Sequence, residues 1–231
     1  MPISDHFAGA VADRVAEARE RIRAAQERGG HSGSVTLIAV TKTHCADAVE
    51  AVYRAGVEDV GENRVGEAEE KMAATAVPVR WHLIGHVQRN KARSAVQFAM
   101  VHGVDSERLA TALDAAAAAA GTVQDCLLQV NVSGEASKSG ISPAEVSALA
   151  ERLHGLRHLR FVGAMTMAPF EAEEAVLRRV FAGTRDARDV LANAGHPATH
   201  LSMGMSGDFE IAVEEGATLV RLGTVLFGSR T

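Results

Sequence analysis

Apolar positions along the chain switch repeatedly between two periods. Phe7, Val11, Val15, Ala18 and Ile22 recur at helical spacing among mixed charges, and Gly29-Gly30 follows. This predicts an opening amphipathic helix of about five turns, packed on the outside of something larger. The run Val35-Thr36-Leu37-Ile38-Ala39-Val40-Thr41 is apolar or β-branched on both parities, the signature of a strand covered on both faces. Val49, Val52 and Tyr53 then form the stripe of a helix closed by Gly56. The alternation continues with strands at 57–60, 81–84, 100–104 and 126–132. Between them lie helices at 64–73, at 91–98, and from a cap at Asp105 or Ser106 through an alanine run to Gly121. Ser142-Pro143-Ala144-Glu145 is a capping box with proline at the first helical position. A strand at 159–165 follows, then a long helix marked by Leu177, Val180, Phe181, Thr184, Ala187 and Leu191. A strand at 200–202, a helix at 208–216 and a strand at 218–222 complete the pattern.

Eight strands separated by helices fit a closed (β/α)8 barrel of the TIM type with an extra N-terminal helix. An open doubly wound sheet commonly has about five or six strands. No linker or shift of composition interrupts the pattern, so residues 1–231 are expected to form a single domain. The 231 residues are 47% hydrophobic and 23% charged, an ordinary globular balance that excludes disordered and collagen-like classes. Twenty-four Lys plus Arg against 29 Asp plus Glu leave a net charge of −5, no surplus for a run of phosphates, so nucleic acid is not the expected partner. No apolar stretch approaches the ~18–20 residues that span a bilayer, and Met1-Pro2-Ile3-Ser4-Asp5-His6 lacks the pattern of a secretory leader. A cytoplasmic protein without a membrane partner is expected. Cys45 and Cys126 are the two cysteines; with no CxxC or Cys/His spacing, neither a disulfide framework nor a metal site is expected.

In a barrel, chemistry is built where strands end and the following loops begin. Lys42 directly follows the first predicted strand. It is either a solvated strand end or an amine in a dry mouth, where desolvation makes it a Schiff-base former. The loops after strands seven and eight commonly bind phosphate in barrels. Here they read Ser202-Met203-Gly204-Met205-Ser206-Gly207-Asp208 and Arg221-Leu222-Gly223-Thr224, small residues that supply N–H and O–H donors without bulk. Each loop alone is ordinary turn chemistry. Together, opposite a strand-end lysine, they describe a phosphorylated aldehyde held at two ends, and pyridoxal 5′-phosphate (PLP) is the obvious candidate. Asn63 and His82 end strands two and three. They either contact the cofactor's hydroxyl or ring, or act as a cap and as a hydrogen-bonded strand histidine. His86, Arg89 and Lys91 read as solvated, and Met165, Met167, Met203 and Met205 as packing around a mouth.

The segments Ala39-Val40-Thr41-Lys42-Thr43, Gly61-Glu62-Asn63-Arg64-Val65, Trp81-His82-Leu83-Ile84-Gly85-His86-Val87-Gln88-Arg89-Asn90-Lys91, Ser137-Lys138-Ser139-Gly140, Met165-Thr166-Met167-Ala168-Pro169-Phe170, Ser202-Met203-Gly204-Met205-Ser206-Gly207-Asp208 and Val220-Arg221-Leu222-Gly223-Thr224 closely resemble the pyridoxal-phosphate homeostasis protein family. They occur in that family's order and cover nearly the whole chain. The family is similar to the barrel domain of alanine racemase. The resemblance implies a single-domain barrel that carries PLP and acts in vitamin B6 and amino-acid homeostasis without robust catalysis. It makes Lys42 the lysine of the internal aldimine and Arg221 the partner of the pyridine nitrogen, and it places Ser202, Gly204, Gly223 and Thr224 around the phosphate. It also raises Lys138, otherwise a solvated loop charge, to a second and transient aldehyde-binding amine. One departure is visible: Cys45 stands soon after the lysine, where proline is expected, so a thiol is expected near the linkage.

The leading reading is therefore a carrier that assigns no residue a catalytic role, buffers the free aldehyde and hands PLP to apo PLP-dependent enzymes, as a monomer whose barrel closes its own core. Two enzymatic readings stand beside it. A racemase-type enzyme needs a second base, usually tyrosine, on the opposite face of the substrate, and the only tyrosine is Tyr53, on a helix stripe. A cofactor-free Schiff-base aldolase would use Lys42 on a sugar phosphate.

Overall fold

The computed structural model describes residues 5–135 and 138–228. Helix α1 (Asp5–Gly29) precedes a regular alternation: β1 (Thr36–Val40), α2 (Ala46–Arg54), β2 (Asp59–Glu62), α3 (Val65–Ala74), β3 (Arg80–Leu83), α4 (Ala92–Ala95), β4 (Met100–Val104), α5 (Glu107–Ala120), β5 (Gln124–Gln129), α6 (Val146–Leu153), β6 (Leu159–Met165), α7 (Glu174–Asn193), β7 (His200–Ser202), α8 (Phe209–Glu214), β8 (Leu219–Leu222) and α9 (Thr224–Phe227). The strands are parallel neighbours in chain order, and β8 pairs back on β1, so the barrel is closed. The expected barrel and its N-terminal helix are present. Parallel pairing demands a long crossover at every step, which the helices supply.

Two expected elements differ in extent. The helix expected at 91–98 is a single 3-10 turn, Arg89–Lys91, followed by the four residues of α4, because Phe98 is turned into the core and β4 begins at Met100. The strand expected at 126–132 starts earlier and ends at Gln129. Gln124 can open it because its backbone N–H donates to His158 O and its side chain to Phe98 O. The capping box at Ser142 opens a 3-10 turn, Pro143–Glu145, that leads into α6. The alanine-rich α5 starts at Ser106, whose Oγ accepts the Leu109 N–H, and ends at Gly121 with φ 66°.

Alternation divides each strand between an outer face under the helices and an inner face in the barrel lumen. Leu37, Ala39, Leu201, Val220 and Leu222 pack outward with α1 and α8. Ile38, Met100, Leu127, Val162, Met165 and Leu219 form a separate apolar cluster, the lumen filling. Among these sit five polar residues, Asp59, His82, His102, Ser202 and Arg221, all buried. His102 on β4 bonds Ser202 on β7, strands that are not neighbours, so the contact crosses the lumen.

Candidate functional site

A cavity of about 760 Å3 opens where the strands end. Lys42, Asn63, Lys138, Arg221, Gly223 and Thr224 all line it, with Gln129, Ser206 and Asp208. Asn63 and the loop after β3 come together because residue 85 is glycine: a Cβ there would stand 2.3 Å from Asn63 O.

Lys42 stands two residues beyond the end of β1, after Thr41, and is half-buried. The peptides on either side of it are gripped from α3. Lys71 Nζ donates to Thr41 O at 2.7 Å, and Glu67 Oε1 accepts the Thr43 N–H. The same ammonium reaches Glu62 Oε1 at 2.6 Å and Glu67 Oε1 at 2.8 Å, and the Thr41 hydroxyl donates to Glu62 Oε1 at 2.5 Å. Burial pushes the Glu62 carboxyl up, against the pull of Lys71 and Thr41. Burial also acts on Glu67, but hydrogen bonds from Lys71 and the Thr43 amide outweigh it and hold that carboxyl low. Thr43 itself sits at φ 66°. Cys45, expected near the lysine, is exposed at the N-cap of α2.

Arg221, on the inner face of β8, is 4% exposed. Its hydrogen bonds go to neutral oxygens: Nη1 to Ser202 Oγ at 2.6 Å and Nη2 to the Thr166 carbonyl at 2.8 Å. Among the described residues no carboxylate forms a salt bridge with it. Burial pushes the guanidinium down to about 10, opposed by the charge of Asp208, so it remains a cation at neutral pH. With two terminal N–H groups spent, a planar fork of five donors keeps three in reserve.

The loops after β7 and β8 meet through a hydroxyl. Ser206 Oγ accepts from the backbone N–H groups of Gly223 at 3.4 Å and Val225 at 3.3 Å. Asp208 Oδ1 accepts the Met205 N–H at 2.6 Å and closes the first of these loops. Burial raises the Asp208 carboxyl against that bond and the Arg221 charge. Lys138 Nζ is shared between Glu135 Oε1 at 3.0 Å and the Met167 carbonyl at 3.4 Å; its neighbour Ser137 lies outside the described residues.

Three expected site residues stand behind the wall rather than on it. His82 is a strand histidine in the lumen, bonded to Asp59 and His102, which replaces the expected cofactor contact with the alternative reading of that residue. Ser202 was expected at the phosphate, but its hydroxyl is committed to Arg221 and His102. Gly204 adopts φ 91° against α8, where a Cβ would stand 2.7 Å from Ala212 Cβ and 2.9 Å from Phe209 Cα. Its smallness serves packing. Sequence reasoning reached Ser206 only as part of its loop, and it missed Lys71 and His102.

The chain matches the family described as "Alanine racemase, N-terminal domain" over residues 14–231. It is 44% identical over 223 residues to the "Pyridoxal phosphate homeostasis protein" of Pseudomonas aeruginosa, covering 95% of this chain and 96% of that one. The solved structure of PipY from Synechococcus elongatus, "with PLP bound", superposes with a TM-score of 0.83 at 39% identity, covering 94% of this chain and 100% of that one. A protein of unknown function from Bifidobacterium adolescentis superposes with a TM-score of 0.90 at 36% identity, over 97% of both chains. Overlap across almost the full length of each partner, on the same closed barrel, makes this chain a member of the pyridoxal phosphate homeostasis protein family, within the alanine racemase N-terminal domain group.

Proposed function

We propose that this protein binds pyridoxal 5′-phosphate in the strand-end cavity, carries it on Lys42, and buffers it or hands it to apo PLP-dependent enzymes rather than turning over an amino acid. The observation that carries this reading is one cavity wall that holds both Lys42 and the buried Arg221, a cation whose partners are neutral oxygens. Bound PLP supplies an aldehyde carbon that condenses with a primary amine, with loss of water. Lys42 provides that amine from a backbone clamped on both sides by α3. Arg221 offers its spare N–H groups to the pyridine nitrogen, and its fixed charge disfavours protonation there, which weakens any electron withdrawal from a bound amino acid. At the other end of the cavity the Ser206 and Thr224 hydroxyls line the wall as donors for a phosphate, beside the Gly223 and Val225 N–H groups that Ser206 Oγ gathers there. Asn63, just after β2, lines the same cavity, and Lys138 is a second amine on its wall. Ser202 acts through Arg221.

The carrier reading, rather than the racemase one, draws support from Tyr53. It lies on α2, outside the cavity wall, where it cannot serve as a second base. A barrel without free sheet edges needs no partner to satisfy its strands, in keeping with a monomer. Among the described residues no helix is long and apolar enough to cross a membrane. The test is the visible spectrum of protein incubated with PLP, before and after borohydride, followed by mass mapping of the modified lysine. A bound band and a label at Lys42, both lost in Lys42→Ala with the fold intact, are expected. Trapping solely at Lys138 overturns the lysine assignment, and a protein that takes up no PLP overturns the function.

A further inference from the structure

Five buried polar residues of the lumen form one continuous chain. Arg221 Nη1 lies 2.6 Å from Ser202 Oγ, which lies 2.9 Å from His102 Nδ1. His102 Nε2 lies 3.0 Å from His82 Nδ1, and His82 Nε2 lies 2.9 Å from Asp59 Oδ1. Asp59 is gripped in turn by Arg80, Nε to Oδ1 at 2.8 Å and Nη2 to Oδ2 at 2.6 Å. Arg80 is more than half exposed at the opposite end of the barrel from the cavity.

The proton positions follow from satisfaction alone. An ionised Asp59 only accepts, so His82 Nε2 carries a proton. Arg221 only donates, so Ser202 Oγ accepts from it. If His102 donated to Ser202 as well, the serine proton would be left without a partner in a fully buried place. The arrangement that satisfies every group runs in one direction: Arg221 to Ser202, Ser202 to His102 Nδ1, His102 Nε2 to His82 Nδ1, His82 Nε2 to Asp59. His102 is 0% exposed; burial, with the nearby His82, Arg221 and His200, holds its imidazole well below the usual histidine value, in keeping with a neutral ring.

We propose that His102 is the positioning residue for Arg221: acting through Ser202, it anchors a one-directional hydrogen-bond relay that fixes the guanidinium at the cavity floor and ties it to the Asp59 carboxylate deep in the barrel. The inference deepens the proposed PLP site, because an arginine that is to meet a ring nitrogen must be held with the correct donors free. His102 touches no ligand. Its effect on binding is transmitted by the serine hydroxyl, whose proton it accepts.

Two measurements test this. Nitrogen-15 NMR of the imidazoles in the unliganded protein at neutral pH is expected to show both His102 and His82 neutral, with the proton on Nε2; a proton on His102 Nδ1 overturns the relay. PLP titration then compares two replacements. In His102→Asn the side-chain oxygen stands near the Nδ1 position and still accepts from Ser202, so affinity should stay within about threefold of wild type. In His102→Leu that acceptor is gone and binding should weaken about tenfold. A purely packing role predicts the opposite order, since leucine fills the apolar lumen better, and that order overturns the proposal. Should His102→Leu not fold, Ser202→Ala, which removes the hydroxyl that links His102 to Arg221, is expected to give the same tenfold loss; unchanged affinity in Ser202→Ala overturns the proposal. Wild-type protein that binds no PLP would count against the proposed function, and the ring-nitrogen measurement would then decide the relay alone.

Discussion

Two buried polar groups flank the first strands of this barrel, and they are built on opposite principles. The lumen relay strings neutral groups between one cation and one anion, each member both giving and taking a single hydrogen bond. The cluster between the barrel and α3 instead packs an ammonium against two carboxylates and two backbone segments. Its inner carboxylate is left with one orphaned oxygen, Glu62 Oε2. The relay thus spreads its charges across the barrel, whereas the cluster concentrates them behind one lysine. The comparison teaches that the two ends of the candidate site are held by different means: Arg221 by direction, Lys42 by charge. A directional chain tolerates loss of a member with a local cost. A concentrated one does not, because each removal leaves a buried ion uncompensated.

The largest effect should come from removing the cation of the cluster. Lys71→Met leaves Glu62, whose side chain is 0% exposed, without its counter-charge, and breaking such a pair costs about 3–5 kcal/mol. Denaturant unfolding should show the loss at neutral pH. Glu62→Gln combined with Lys71→Met should recover most of it, since both charges are then gone together. If the double variant is as unstable as the single one, the cluster acts through packing and the contrast with the relay fails.

Asp59 offers the next effect, through pH. Burial alone would raise its carboxyl, but hydrogen bonds from His82 and Arg80 outweigh it and hold the group at about 2, down from 3.8. A carboxyl depressed in the folded state stabilises above its unfolded value and loses that contribution as pH falls through the folded one. The shift corresponds to about 2 kcal/mol, less the share of the exposed Arg80, which solvent screens. The wild-type protein should therefore lose stability between about pH 4 and pH 2 more steeply than Asp59→Asn, whose side-chain oxygen still accepts from His82 but does not titrate. Parallel acid limbs for the two proteins would show that Asp59 does not anchor the relay by its charge.

How much of this was legible in the sequence follows from the same contrast. The eight-fold alternation gave the barrel, because strands covered on both faces and helices striped on one leave unmistakable periods. Lys42, Asn63, Arg221, Gly223 and Thr224 were found as strand-end residues, and the cavity wall collects them. Strand ends, however, say nothing of depth. His82 lies one residue before the end of β3 and Ser202 ends β7, yet both are absent from the cavity wall, because their side chains are taken up by hydrogen bonds within the lumen. His102 carried a signal that was readable: a polar residue between Val101 and Gly103 in a strand whose neighbours are all apolar or glycine. Lys71 carried another, at three-residue spacing after Val65 and Ala68 on the buried face of α3. Ser206 was legible only as part of its donor-rich loop, since a serine among glycines is by itself ordinary turn chemistry.

The smallest expected effect lies where the cluster meets the backbone. Thr43 is β-branched, yet it sits at φ 66°, a region that costs a non-glycine residue about 1–3 kcal/mol. It is held there because its N–H is taken by Glu67 Oε1, the carboxylate that also pairs with Lys71. Glycine adopts that φ freely but adds about 0.5–1 kcal/mol of chain entropy to the unfolded state. The strain relieved should exceed the entropy lost, so Thr43→Gly is expected to stabilise the fold by about 1 kcal/mol in denaturant unfolding. In the Lys71→Met background the gain should shrink, because the Glu67 carboxylate has lost its ammonium partner and no longer pins the segment as firmly. An equal gain in both backgrounds would mean that the turn after Lys42 is set by the strand end alone, and that the cluster holds Lys42 only through the Thr41 carbonyl.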